Sequence, residues 1–156
     1  MFQIRHIFIS PDHNFFGHYG QPAGKAPAIE VTEAELVAGK GIVGDRFFGY
    51  KENYRGQITF FSSEIFARLQ SELEVSSHGP ETLRRNVITE GIDLNTLIGQ
   101  EFTLQGIRFE GVSECSPCDW LDKVFAAGTE AALKGHGGLR ARILTSGTLR
   151  VSPAPR

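Results

Sequence analysis

Cysteine is scarce in this sequence: the 156 residues hold two, alongside a single methionine and a single tryptophan. So small a number excludes a disulfide-stapled scaffold. Charge of one sign is missing too, since a net charge of −2 gives no bulk attraction to nucleic acid or to an anionic membrane. No apolar run approaches the length of a membrane-spanning helix, and Met1-Phe2-Gln3-Ile4-Arg5-His6 lacks the apolar core and small-residue cleavage site of a secretory leader. These absences lead us to expect a cytoplasmic protein with neither nucleic-acid nor membrane partners. In that compartment two neighbouring cysteines stay reduced and serve catalysis or ligation. Lysine is sparse as well: five lysines stand beside 11 arginines, and none has the apolar or glycine-rich setting of a Schiff-base lysine. No pyridoxal phosphate is expected in this chain alone, whereas the arginine bias suits planar recognition of phosphate or carboxylate.

What is present reads as one domain over residues 1–156, large enough to bury a core. The alternation in Phe2–Ile9 predicts a first strand, followed by a loop over residues 10–28 that carries His13 and His18. Residues 28–43 read as a strand turning near Gly39-Lys40-Gly41, residues 47–56 as an aromatic and polar loop, and Gln57–Phe61 as a short strand. Ser62 or Ser63 caps a helix with Ile65, Phe66, Leu69 and Leu73 on one face, ended by His78-Gly79-Pro80. Glu101–Leu104 and Ile107–Val112 alternate around Gln105-Gly106, a two-residue hairpin. After Cys118 a helix places Trp120, Leu121, Val124 and Phe125 on one side, and a short helix spans Glu130–Lys134. Leu139–Leu144 and Thr148–Val151 read as a closing hairpin. Seven or eight short strands with two or three helices predict a mostly β, α+β fold, a barrel flanked by a few helices.

The two cysteines lie three apart in Glu114-Cys115-Ser116-Pro117-Cys118-Asp119. Ser116 as N-cap, Pro117 at the first helical position and Asp119 closing a capping box would set Cys118 among unpaired N–H groups. A thiol there would ionise below its free value of about 8.5, making it a nucleophile and a soft metal ligand. A redox pair, or half a zinc site completed by histidines, are the alternatives, and no second Cys pair or zinc-finger His spacing accompanies them. Cys115 reads as the buried end of a strand. Around this segment stand Gly44-Asp45-Arg46, Arg84-Arg85-Asn86 and Gly135-His136-Gly137-Gly138-Leu139-Arg140-Ala141-Arg142. Arg84 and Arg85 adjoin in an apparent strand, so one of them would face the site, while Arg140 and Arg142 share a strand face and could grip a phosphate. For Asp45 and Arg46 an ion pair fixing the turn is the plainer account.

The run from Arg84-Arg85-Asn86-Val87-Ile88-Thr89-Glu90-Gly91 through Leu97-Ile98-Gly99, Cys115-Ser116-Pro117-Cys118 and Gly137-Gly138-Leu139-Arg140-Ala141, with Gly41-Ile42-Val43-Gly44-Asp45-Arg46 before it, resembles the MOSC domain. That module is named for the C-terminal part of the molybdenum-cofactor sulfurases, a pyridoxal phosphate-linked family, and the chain looks like a stand-alone bacterial member. The resemblance implies a closed, pyruvate-kinase-like β-barrel and a functional Cys118. In sulfurases the matching cysteine is thought to receive persulfide sulfur; in reductases of N-hydroxylated compounds it ligates molybdenum. It further implies that molybdopterin is held by Arg46, Arg85, Asn86, His136, Gly137, Gly138, Arg140 and Arg142. The expected function is a molybdenum-cofactor protein that reduces small N-hydroxylated substrates with Cys118 on the metal. A persulfide-carrying sulfurtransferase and a non-catalytic cofactor-binding module are the alternatives. The desulfurase domain of the sulfurases is missing, so the expected partners are a cysteine desulfurase or an electron-donor protein.

Overall fold

Strand β1 (Gln3–Ile9) begins with alternating burial, and its apolar end becomes buried on both sides, with Ile7 facing one core and Phe8 another. The same split recurs in β5 (Ile58–Ser62), where all five residues are buried, Phe60 among one cluster and Phe61 among the other. Side chains alternate across a strand, so these strands must be covered on both faces. In the computed structural model, which describes residues 2–14 and 24–154, one cover is a second sheet and the other is a helical layer.

The larger sheet has the order β2-β1-β6-β5-β9-β8-β7, with β2 (Ile29–Val31), β6 (Val87–Glu90), β7 (Glu101–Leu104), β8 (Ile107–Glu114) and β9 (Leu139–Ile143). The smaller comprises β3 (Glu33–Val37), β4 (Gly41–Ile42) and β10 (Gly147–Arg150), in the order β10-β3-β4. Between the sheets lie Ile4, Leu36, Ile42, Phe60, Phe109 and Leu149. Helix α1 (Ser63–Leu73), with the short helices α2 (Trp120–Val124) and α3 (Thr129–Ala132), packs Phe66, Leu69, Leu121, Phe125 and Leu133 against Phe8, Phe61 and Ile88. Burying each such aromatic or aliphatic side chain contributes about 1.5–3 kcal/mol.

This mostly β architecture agrees with the sequence, but neither sheet closes into a barrel. The chain changes sheets at Thr32, so the expected single strand over residues 28–43 divides into β2, paired with β1, and β3, paired with β10 and β4. The expected terminal hairpin is absent for the same reason. Strand β9 pairs with β5 and β8, and β10 with β3, while Ser146 accepts the Ala38 N–H at 2.9 Å instead of closing a turn. The β7–β8 hairpin does form, with Gln105 and Gly106 both at positive φ (53° and 77°) as a twisted two-residue turn requires. One βαβ unit is present, since β5 and β6 are parallel neighbours joined through α1. Ser62 caps α1 by accepting the Ile65 N–H at 3.1 Å. The helix stops at Leu73, well before Gly79-Pro80, because Glu74 turns left-handed (φ 53°) and its N–H returns to the Gln70 and Ser71 carbonyls.

A cationic cavity edged by a cysteine

The corner after β4 is built around one carboxylate. Asp45, its side chain wholly buried, accepts the Ser10 and Phe47 N–H groups at 3.0 and 3.3 Å, and the Arg46 guanidinium at 3.1 Å. Asn86, at the entry to β6, donates to the Phe8 carbonyl (3.1 Å) and to Asp45 (3.4 Å), and its Oδ1 accepts from the Thr59 N–H (3.0 Å) and Oγ1 (3.1 Å). Both residues therefore tie loops to strands. The expected ion pair of Asp45 and Arg46 is present, and the amide of Asn86 is spent inside the protein.

Above this floor Arg46, Arg84, Arg85 and Arg140 line one cavity of about 310 Å³ together with His13, Phe47, Tyr54, Cys115, Cys118, Asp119 and Trp120. Arg84 and Arg85 both reach it, contrary to the strand-based expectation. Arg84 is not in a strand: it ends a 3-10 turn over Pro80–Leu83 in the left-handed region (φ 61°), which breaks the alternation. Its guanidinium donates to the Ala26 carbonyl (3.0 Å), Ser10 Oγ (2.8 Å) and the Asp12 carbonyl (2.7 Å), pinning the segments on either side of the undescribed residues 15–23. Arg85 donates to the carbonyls of Leu83 (2.9 Å), Cys115 (3.0 Å) and Gly137 (2.9 Å). Arg46 also reaches the Arg84 carbonyl at 3.2 Å. Arg140 makes no side-chain hydrogen bond or ion pair among the described residues.

Four guanidinium groups around one cavity, with Asp45 beneath and Asp119 at the rim, are undercompensated. Burial, with Arg46 beside it, pulls the Arg84 guanidinium down to about 10. Burial lowers Arg46 as well, with Asp45 opposing and Arg85 adding to the shift. His13 is lowered by burial and by Arg46. A site in which cations discourage one another is poised for an anion, which would relieve all of them at once.

The cysteine segment is not the capping box the sequence suggested. Helix α2 begins at Trp120, with Asp119 in the cap position and no side-chain cap bond, so Cys118 lies two residues before the first helical residue and its carbonyl accepts the Leu121 N–H at 3.1 Å. The cause is tertiary. The Cys115 N–H donates to the Gly138 carbonyl at 2.8 Å and its carbonyl accepts from Arg85, which extends the β8–β9 pairing by one residue. The helix-terminus argument for Cys118 thus falls away; Cys118 lines the cavity and also packs against the core of the helical layer. Cys115 is buried, as expected, yet it too forms cavity wall, and it is the thiol whose charge would act on Arg46 and Tyr54.

The remaining expected ligand residues separate from this cavity. A Cβ on Gly137 would stand 2.2 Å from the Cys115 carbonyl, and one on Gly138 (φ 108°) 2.4 Å from that of Phe60, so the two glycines allow backbone to lie against backbone. His136 and Gly138 line a different cavity, beside Ile65, Ile92 and Asn95. Arg142 shares a strand face with Arg140 as expected, but two residues further on it bonds Glu110 (2.7 Å) and the Asn53 carbonyl (3.1 Å) outside the site. His13 lines the cavity; His18 lies outside the described residues. The reading of the sequence gave the site one of Arg84 and Arg85 and missed Phe47 and Tyr54, although the aromatic density of residues 47–54 was a signal. Trp120, expected as core, is buried and also forms cavity wall. Among the described residues no three His, Cys, Asp or Glu side chains converge on a possible metal position. No helix among them is long and apolar enough to cross a membrane.

Fold and site together define a two-sheet β protein whose arginine-lined cavity carries a cysteine on its edge. The MOSC domain family model matches residues 28–153, and the chain belongs to that family. Solved structures agree on the fold. The YuaD protein from Bacillus subtilis superposes with a TM-score of 0.77 at 19% identity, covering 96% of this chain and 91% of that one. YiiM from Geobacillus stearothermophilus gives 0.69 at 13% identity (96% and 71% covered), and YiiM from Escherichia coli 0.64 at 16% (99% and 72%). No curated protein matches in sequence.

Proposed function

We propose that the cavity binds the molybdenum cofactor, with the phosphate of the pterin on the arginines and the Cys118 sulfur on the metal, and that small N-hydroxylated compounds are reduced there. The observation that carries this reading is the convergence of Arg46, Arg84, Arg85 and Arg140 on one cavity edged by Cys118. A phosphate-bearing ligand with a flat, hydrogen-bonding ring fits that donor set. Arg140 is the guanidinium that would bond it with least loss, since its side chain gives up no protein partner. Arg85 holds the cysteine segment in place through the Cys115 carbonyl.

When bound, the cofactor would supply two-electron redox chemistry. Reduction of R–NH–OH to R–NH2 takes two electrons and two protons and releases water, breaking the N–O bond. The electrons would come from a donor protein. His13, whose proton affinity is lowered by burial and Arg46, lines the cavity and would be the group to exchange a proton with a bound hydroxylamine.

A second reading makes Cys118 a persulfide carrier supplied by a cysteine desulfurase. It is favoured by the partial exposure of Cys118. Elemental and pterin analysis of protein from a cofactor-producing host decides between them. Near-stoichiometric molybdenum and pterin, with the metal lost in Cys118→Ala, is the expected result. An empty wild-type protein, with one sulfur added to Cys118 after incubation with a desulfurase, would transfer the case to the carrier.

A further inference from the structure

The cavity that takes His136 and Gly138 away from the arginines has a volume of about 490 Å³ and a chemistry of its own. It sits at the carboxyl ends of the two parallel strands: Ser62 closes β5, Gly91 follows β6, and both line it. Crevices at that end of parallel strands are where ligands commonly bind. One side of the cavity is apolar and joins the two cores, with Ile65 from the helical layer and Ile92 and Leu94 from the sheets.

The other side is acidic. Glu64 and Asp93 line it and, among the described residues, no arginine or lysine does. Both carboxylates accept from neutral donors: Glu64 from the Gly91 N–H at 2.9 Å and the Ser63 hydroxyl at 3.2 Å, Asp93 from the Asn95 N–H at 3.1 Å. Neither forms an ion pair among the described residues. Glu64 stands in the first turn of α1 and offsets the positive end of that helix, which leaves Asp93 in excess. The partly buried His136 ring makes no hydrogen bond, ion pair or ring contact among the described residues. These three side chains do not converge on a metal position, so the matching cation is an organic one.

We propose that this cavity is a second binding site, for a small organic ammonium ion with an apolar body. The charge lies between Glu64 and Asp93, the body against Ile65, Ile92 and Leu94, and the His136 ring accepts a further N–H. Apolar walls with a few convergent polar groups, at this volume, are the usual make-up of a small-molecule site. The site is independent of what the arginine cavity binds.

The test uses the isotope-labelled chain as purified, its amide signals followed by NMR near neutral pH. Benzylammonium is added beside benzyl alcohol, which keeps the ring without the charge, and methylammonium, which keeps the charge without the ring. The site predicts saturable shifts at Gly91, Ile92, His136 and Gly138, with benzylammonium bound about fivefold or more tightly than either control. Glu64→Gln and Asp93→Asn each keep an oxygen for the backbone N–H and remove the charge. Each should weaken benzylammonium about threefold or more with the melting midpoint unchanged. Shifts confined to other residues, or a control that binds as tightly, would overturn the proposal on the wild type alone, even if no variant folds. An affinity that survives both substitutions together would overturn it as well.

Discussion

At the scale of single residues, the cavity separates side chains that hold the protein from those able to hold a ligand. Arg84 and Arg85 each donate to several backbone carbonyls, whereas Arg140 makes no side-chain bond among the described residues. Arg140→Gln should therefore leave the unfolding midpoint within about 0.5 kcal/mol while weakening sulfate or pterin-phosphate binding about tenfold or more, as loss of a charge-assisted bond requires. Calorimetric titration with a denaturant curve on the same samples checks both halves. His13 gives a pH test. Arg46 and Arg84 lower it and Asp12 and Asp45 oppose them, with burial the largest influence. Its folded proton affinity lies below the unfolded value of about 6.5, so the unfolded chain takes up the proton first as pH falls. Stability should decline as pH drops through about 6.5 towards the folded value, and His13→Gln should flatten that decline in thermal melts. Sulfate should raise the His13 value, visible as a shifted imidazole titration by NMR.

Among the elements, the contact of the cysteine segment with the start of β9 decides the site. Gly137→Ala would drive a methyl group into the Cys115 carbonyl, 2.2 Å away, and into Pro117. We expect a loss of about 2 kcal/mol or more in denaturant unfolding, together with weaker anion binding, because residues 115–118 must move. This contact also explains why the element-level reading of the sequence stopped where it did. Alternation gave β7 and β8, and the Gln105-Gly106 turn closed them, because partner and turn are local. Ser116 and Asp119 had the chemistry of a capping box, but Arg85, some thirty residues earlier, binds the Cys115 carbonyl and the helix starts only at Trp120. Ser146-Gly147 looked like a hairpin turn, yet the partner of β10 is the distant β3. The left-handed Arg84 carried no signal, since arginine is not a residue that favours that region. The arginines, Cys118 and the mostly β class were legible because residue type and pattern encode them. The choice of which arginines converge, and the absence of closure, depend on pairings between remote strands.

For the whole molecule, the core is two layers meeting at β5. Phe60 faces the sheets and touches Phe102 and Phe109, with ring centroids 5.8 and 5.6 Å away. Phe60→Ala should cost about 3–5 kcal/mol in equilibrium unfolding, a large part of a domain's total stability. Phe61→Ala, against the helical layer, should cost a similar amount. If the layers form one cooperative unit, both variants will show a single transition with an unchanged denaturant slope.

The interleaving of strands has a consequence for biosynthesis. Strand β3 waits for β10, β5 for β9, and the cavity draws on residues from His13 to Arg140. Pairings so distant in sequence form slowly and only when both partners exist. A chain still being translated, with Cys118 already made but Gly137 and Arg140 yet to come, has a thiol and no cavity around it. Any ligand of this site must therefore be inserted after synthesis has passed β9, and the interval before that is when Cys118 lacks the glycine contact that later holds its segment in place.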